Sequence, residues 1–280
     1  EGEVAAYLDP AEHRAAVDDL PRSTRAGFRS EVLTGDEARA MVPELSDAVI
    51  GAIRFPDERH LRPQTLVDAL AAKLDALGVE RVGGTVSRAW ALPSGGVEVR
   101  GQFGSVRGDA LVIAAGAWTG RVARLLGARL PIRPGKGYSV DYVPAQLAAR
   151  CTVMLAEAHC AVTPLDGATR VAGTMEFGGL DERISPVRLR AIRRAPARYL
   201  RAWDPDAPTT TPSAGLRPMA PDGIAIIGRL APFGSVYVAS GHAMLGLTLA
   251  PRTAELLADM ILDGREPEEL LPFSPARFGA

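Results

Sequence analysis

The chain has 280 residues, enough for one large domain or two, and 47% of them are hydrophobic, as in an ordinary globular protein. Its 32 Lys and Arg nearly balance 33 Asp and Glu, so a formal net charge of -1 offers no general attraction to nucleic acid or anionic membrane. No apolar run approaches the roughly 18 residues that span a bilayer, and the two cysteines, Cys151 and Cys160, match neither a zinc pair nor a CxxC redox pair.

The first 19 residues read as a polar helical or loop segment with apolar residues at Val4, Tyr7, Leu8 and Val17. Thr34-Gly35-Asp36-Glu37 opens a short helix that Pro43 closes. Residues 49–55 form a candidate strand. Apolar residues at Leu66, Leu70, Leu74 and Leu77 predict a helix from Pro63 to Leu77, with Gly78 as its stop. Alternating segments at 82–91, 97–100 and 105–106 read as strands around the turn Pro93-Ser94-Gly95-Gly96. The apolar run from Asp109 to Thr119 ends near a glycine, the pattern of a fully buried parallel strand feeding a helix at Thr119 to Leu126. That glycine end suits a ligand-facing turn as well as it suits plain core.

Strands at 136–142, 152–155, 160–163 and 169–175, with turns such as Asp166-Gly167, predict antiparallel sheet in place of further βαβ units. An Arg-rich surface helix follows from Pro186 to Arg201, then a Pro/Thr loop from Pro205 to Pro212. Near the end come a buried strand at Val236 to Ala239, the turn Ser240-Gly241-His242, and an apolar helix from Leu249 to Leu262 closed by Gly264. Strand, glycine turn and helix in that order present backbone N–H groups and a positive helix end to an anionic or electron-rich ligand.

Other chemistry finds little support. HExxH, the P-loop and GxSxG are absent, and Gly135-Lys136-Gly137 is followed by Val140 where GxGxxG needs its last glycine. His13, His60, His159 and His242 are too scattered to suggest a metal site. Ser240 and His242 compete for one turn, which argues against a hydrolase dyad. Both cysteines are expected as small core residues in a reducing, cytoplasmic compartment.

Three segments together resemble the D-amino-acid oxidase (DAO) family, which includes glycine oxidase, sarcosine oxidase and D-amino-acid dehydrogenase. They are Ala110 to Thr119 (ALVIAAGAWT), Gly215 to Gly228 (GLRPMAPDGIAIIG, similar to GxRPxxxDxxPxIG), and Ala239 to Pro251 (ASGHAMLGLTLAP). Shorter echoes lie at Pro131 to Tyr138 and Phe273 to Phe278, in the family's order. The resemblance implies an α/β fold: an FAD-binding domain at 63–127 and 213–265, a substrate domain with a mostly antiparallel sheet at 1–62 and 128–212, and a tail at 266–280. The family's opening strand, GxGxxG turn and helix, which hold the FAD pyrophosphate, have no counterpart in the sequence. The expectation is that this unit is missing from the front and that the FAD-binding domain is truncated.

By the same resemblance Arg217 binds the substrate carboxylate, for which a planar two-donor guanidinium is suited. Capping a strand end or pairing with Asp222 is its alternative role. Gly241, His242, Ala243, Met244, Leu245, Gly246, Leu247 and Thr248 are expected to wrap the flavin ring. Val86 is expected to meet the adenine, and Ala115 and Gly116 to line the same crevice. His159 falls on a substrate-pocket strand, where a structural role fits equally; Ala161 stands near the aromatic residue of glycine-oxidase-like members. No residue is assigned as acid, base or metal ligand. The implied function is FAD-dependent oxidation of the C–N bond of a small amino acid or amine. The alternatives are a branch acting on secondary amines and a flavin-free domain that binds small carboxylates. No nucleic-acid partner is expected, and a homo-oligomer is left open.

Overall fold

The computed structural model describes residues 2–279. Along the chain come β1 (Glu3–Tyr7), α1 (Pro10–Arg25), β2 (Glu31–Thr34), α2 (Gly35–Met41), β3 (Gly51–Phe55) and α3 (Pro63–Ala76). Next are β4 (Val86–Ala91), β5 (Val97–Gly101), β6 (Gly104–Gly108), β7 (Leu111–Ile113) and α4 (Thr119–Leu125). Then follow β8 (Arg133–Tyr142), β9 (Thr152–Leu155), β10 (Cys160–Leu165), β11 (Ala168–Glu176) and α5 (Pro186–Arg194). The chain finishes with β12 (Ser213–Met219), β13 (Ile226–Arg229), β14 (Val236–Ser240) and α6 (Gly246–Asp263), with short 3-10 turns after it. Two compact units result: one up to Gly78 with Gly137–Met175 and Arg183–Ala214, the other Val79–Lys136, Glu176–Glu182 and Gly215 onward.

The first unit is built on a sheet ordered β8-β11-β10-β9-β1-β3-β2. β12 joins at the β8 edge, and Ser213 Oγ lies 2.8 Å from Ser139 Oγ. Pairing is mostly antiparallel, as expected, but β1 runs parallel to β9, with Val4 opposite Val153 and Ala6 opposite Leu155. Side chains two apart share a face. Val4, Ala6, Val153, Leu155, Cys160, Val162 and Val171 therefore turn to one core, which Tyr138, Tyr142, Tyr199 and Cys151 complete. Both cysteines are free and buried, and burial pushes the Cys160 thiol up to about 11.

The opening segment is more ordered than its sequence suggests. Its five-residue strand has partners, β3 and β9, that lie far along the chain, so no local periodicity announces it. Asp9 then caps α1 by accepting from the amides of Ala11 and Glu12. Thr34 and Glu37 form the capping box that starts α2. Glu157 ties the strand ends together, accepting from the amides of Leu8 and Asp9 and from the Tyr199 hydroxyl. Burial works to raise the Glu157 carboxyl, but these donors outweigh it and hold the group below its ordinary value.

The second unit contains two small sheets, β13-β14-β7 and the meander β4-β5-β6. Ile113, Ile226, Val236 and Val238 pack with Ala89 and Val97 and with Ala123 and Leu126 at α4. Leu256, Leu257 and Met260 of α6 cover Ile227 and Tyr237. The apolar run at 109–119 is not the fully buried strand its composition suggests. Only Leu111–Ile113 is extended, at the edge of a three-stranded sheet, and Val112 is 42% exposed. Arg277 fastens the tail by reaching Asp222 at 2.8 Å and the carbonyls of Phe273, Ile224 and Ala225. Lys136, nearly fully buried, lies 3.3 Å from Glu176 and 3.9 Å from Asp181.

Candidate cofactor and substrate site

β14 and β7 are parallel, with Val236 opposite Leu111 and Val238 opposite Ile113. Chain therefore leaves both strands at the same edge of the sheet. Ala115 and Gly116 follow β7 there, and Gly241 follows β14. Two buried hydroxyls lock these exits: Thr119 Oγ1 donates to Ser240 Oγ at 3.0 Å, and Ser240 Oγ donates to the Gly116 carbonyl at 3.1 Å. Gly241 has φ +77°, and a Cβ there would sit 3.2 Å from the Ile226 amide nitrogen. Conformation and space both call for glycine.

Beyond Gly241 the chain folds back along β12. His242 bridges to Met219, and the Ala243 amide donates to the Pro218 carbonyl at 3.0 Å. Arg217 thus lies one residue from the backbone bond that holds the turn. Burial pushes its guanidinium below the ordinary arginine value. His242 Nε2 meets Thr253 Oγ1 at 3.1 Å, which ties the turn to the third turn of α6. Burial also lowers the His242 imidazole and favours its neutral form. Ala243 takes φ +51°, an uncommon conformation for a residue with a Cβ.

Helix α6 starts at Gly246, three residues earlier than its apolar pattern suggests. Its N-terminus has no side-chain cap and no acidic residue in the first turn. The positive helix end is therefore not neutralised by its own side chains. Met244, Leu245 and Leu247 beside it are exposed apolar residues, Met244 at 71%. Thr248 is exposed in the first turn.

The structure thus brings together Ala115, Gly116, the Gly241–Thr248 segment and Arg217. Val86 stands on a different sheet, opening β4 opposite Gly101 at a register shift. His159 belongs to the other unit. It has φ +48° in the turn between β9 and β10, and its amide donates to the Ala156 carbonyl at 3.2 Å. With Tyr7, Glu12, Met154 and Glu157 it lines a cavity of about 600 Å³. Ala161 pairs with Ala172 one strand pair away. The bonds of Thr119, Ser240 and Thr253 escaped the sequence reading, which named Thr119 only as a helix start and Ser240 only as part of the turn. Their only signal was position, each polar in an apolar segment beside a glycine turn or its helix.

The carboxyl ends of two parallel strands, with a glycine turn and an uncapped helix beside them, are the kind of place where α/β proteins bind nucleotide cofactors. The residues present fit the ring end of FAD, with a close backbone approach at Gly241, apolar side chains beside it, and a helix end suited to an electron-rich edge. The chain belongs to the DAO family of FAD dependent oxidoreductases, whose model matches residues 4–260. It is 33% identical over 249 residues to a glycine oxidase of Pseudomonas aeruginosa, a match covering 86% of this chain and 66% of that protein. It is also 33% identical over 270 residues to a D-amino acid dehydrogenase of Bradyrhizobium diazoefficiens, covering 91% of this chain and 62% of that one. The chain therefore spans slightly less than two thirds of the length of these curated relatives.

Among solved structures, glycine oxidase from Geobacillus kaustophilus superimposes with a TM-score of 0.88 at 27% identity, over 99% of this chain and 75% of that one. L-proline dehydrogenase from P. horikoshii has the same fold, with a TM-score of 0.87 at 21% identity, over 99% and 76%. Among the described residues no group of three or more His, Cys, Asp or Glu is placed to hold a metal ion. No helix among them is long and apolar enough to cross a membrane.

Proposed function

We propose that the second unit holds the ring end of FAD and that the protein oxidises the C–N bond of a small amino acid or amine. The observation that carries this reading is the backbone bonding of the Pro218–Met219 segment to His242–Ala243, which sets Arg217 beside the ring segment. When bound, FAD would accept a hydride from the substrate Cα at N5, leaving an imine for water to hydrolyse.

The chain's own residues bind and orient. Arg217 offers two parallel donors to a substrate carboxylate, and partial burial strengthens that pairing. The uncapped N-terminus of α6 would offer its positive end to the flavin edge that becomes electron-rich on reduction. Ala115 and Gly116 would lie against the cofactor, and Val86 would meet the adenine. Placing the carboxylate and amine is the main requirement, and the reading uses no protein acid–base pair. The second reading is a flavin-free domain that binds small carboxylates through Arg217.

The test is to purify the chain, add FAD, desalt, and record the visible spectrum. A flavin band that elutes with the protein, and that bleaches when a small amino acid is added without oxygen, is the expected result. A colourless protein that still binds small carboxylates by calorimetry, with loss in Arg217→Ala, would favour the second reading.

A further inference from the structure

From Ala110 to Val140 the sequence carries Arg121, Arg124, Arg129, Arg133 and Lys136 and not one Asp or Glu. In a chain whose charges otherwise nearly cancel, this is a concentrated positive segment. The fold gathers three of its arginines. Arg124 at the end of α4, Arg129 in the connection and Arg133 at the start of β8 line one depression of about 380 Å³, with Leu130, Pro131 and Ile132 as the rest of its wall. That volume falls at the low end of small-molecule sites.

Local packing explains why the arginines face outward together. Leu130 and Ile132 are buried in the core of the second unit, so alternation along the connection turns Arg129 and Arg133 to the other side. Arg124 Nε donates to the Gly120 carbonyl at 2.9 Å, which fixes the plane of that guanidinium. No carboxylate lines the depression. Several other arginines do face a carboxylate: Arg29 with Asp57, Arg54 with Glu31, Arg170 with Asp141, and Arg277 with Asp222. Compensation of a helix C-terminus accounts for Arg124 alone, since Arg129 and Arg133 lie beyond α4.

We propose that Arg124, Arg129 and Arg133 form a binding site for a doubly charged oxyanion: a phosphate group, free or carried on a small molecule. Guanidinium forks pair with phosphate oxygens two at a time, and three of them around one depression match a dianion better than a single carboxylate. This site does not depend on the flavin reading.

The experiment is calorimetric titration with inorganic phosphate and with glycerol 2-phosphate at fixed ionic strength. One saturable site is expected, with affinity falling at least tenfold in the Arg129→Ala/Arg133→Ala double variant. Arg194→Ala, on the exposed side of α5, should leave it unchanged. The double variant should keep the parent's circular dichroism and melting temperature, and Arg129→Lys/Arg133→Lys should bind with intermediate strength. Equal affinity for both probes identifies free phosphate as the ligand; tighter binding of the ester identifies a phosphorylated small molecule. Absence of saturable binding of either probe, or an equal loss in Arg194→Ala, overturns the proposal.

Discussion

At Arg217 and His242 a single side chain couples burial to charge, and each makes a distinct prediction. If Arg217 holds the substrate carboxylate, Arg217→Ala should raise KM for such a substrate by about 100-fold, the scale of one lost charge-assisted pairing. The retained flavin spectrum should change little. Arg217→Lys should recover only part, because an ammonium keeps the charge without the two-donor fork. Steady-state kinetics on the flavin-loaded protein decide the matter; equal KM values would remove Arg217 from the binding role. His242 predicts a pH effect of definite sign. Its folded value lies below the ordinary 6.5, so the unfolded chain binds the proton first. The stability of the neutral ring is full above the ordinary value and is lost as pH falls through the folded one. Thermal midpoints should therefore drop from about pH 7 to about pH 5.5, and His242→Gln should flatten that part of the curve.

Among the elements, the turn between β14 and α6 depends most on its backbone. Gly241→Ala adds a Cβ at φ +77° and 3.2 Å from the Ile226 amide nitrogen. The expected cost is about 2 kcal/mol, read from the urea midpoint at unchanged slope. Gly264→Ala at the end of α6 is the comparison, because it has φ +69° but nothing within 4 Å of the added carbon. It should cost about 1 kcal/mol, from conformation alone. If the two variants cost the same, the close approach at Gly241 contributes nothing. Much of this element was legible in advance: Ser240-Gly241-His242 between an apolar strand and an apolar helix identifies the turn. The three extra residues at the start of α6 were not. Gly246, Leu247 and Thr248 carry no start signal, and they become helical because backbone bonds to β12 position the turn ahead of them.

At the scale of the molecule, burial of both cysteines in one core gives a direct probe of the fold. Cys151 and Cys160 have thiols raised by burial, and only the thiolate reacts. A thiol reagent at about pH 8 should label neither residue in the native protein and both in denaturant. Native labelling should proceed at the rate of unfolding when opening limits the reaction. Rapid labelling of the native protein would show that the core of the first unit opens locally.

The sequence by itself determined the α/β class, the mostly antiparallel middle sheet, and the glycine turn ahead of the last long helix. These follow from patterns carried within short windows: the short apolar strands at 152–155 and 160–163, leucine spacing in α3, and the glycine turn before α6. Only the tertiary structure decided the rest. β1 exists because β3 and β9 lie on either side of it, residues no local window contains. Val112 is exposed because nothing among the described residues covers its face of β7, which its apolar neighbours cannot reveal. Pro218, next to Arg217, meets Ala243 of the glycine turn through a backbone bond, and the three arginines share one depression through the burial of Leu130 and Ile132. Local periodicity records which face of an element is apolar; long-range pairing decides what that face meets.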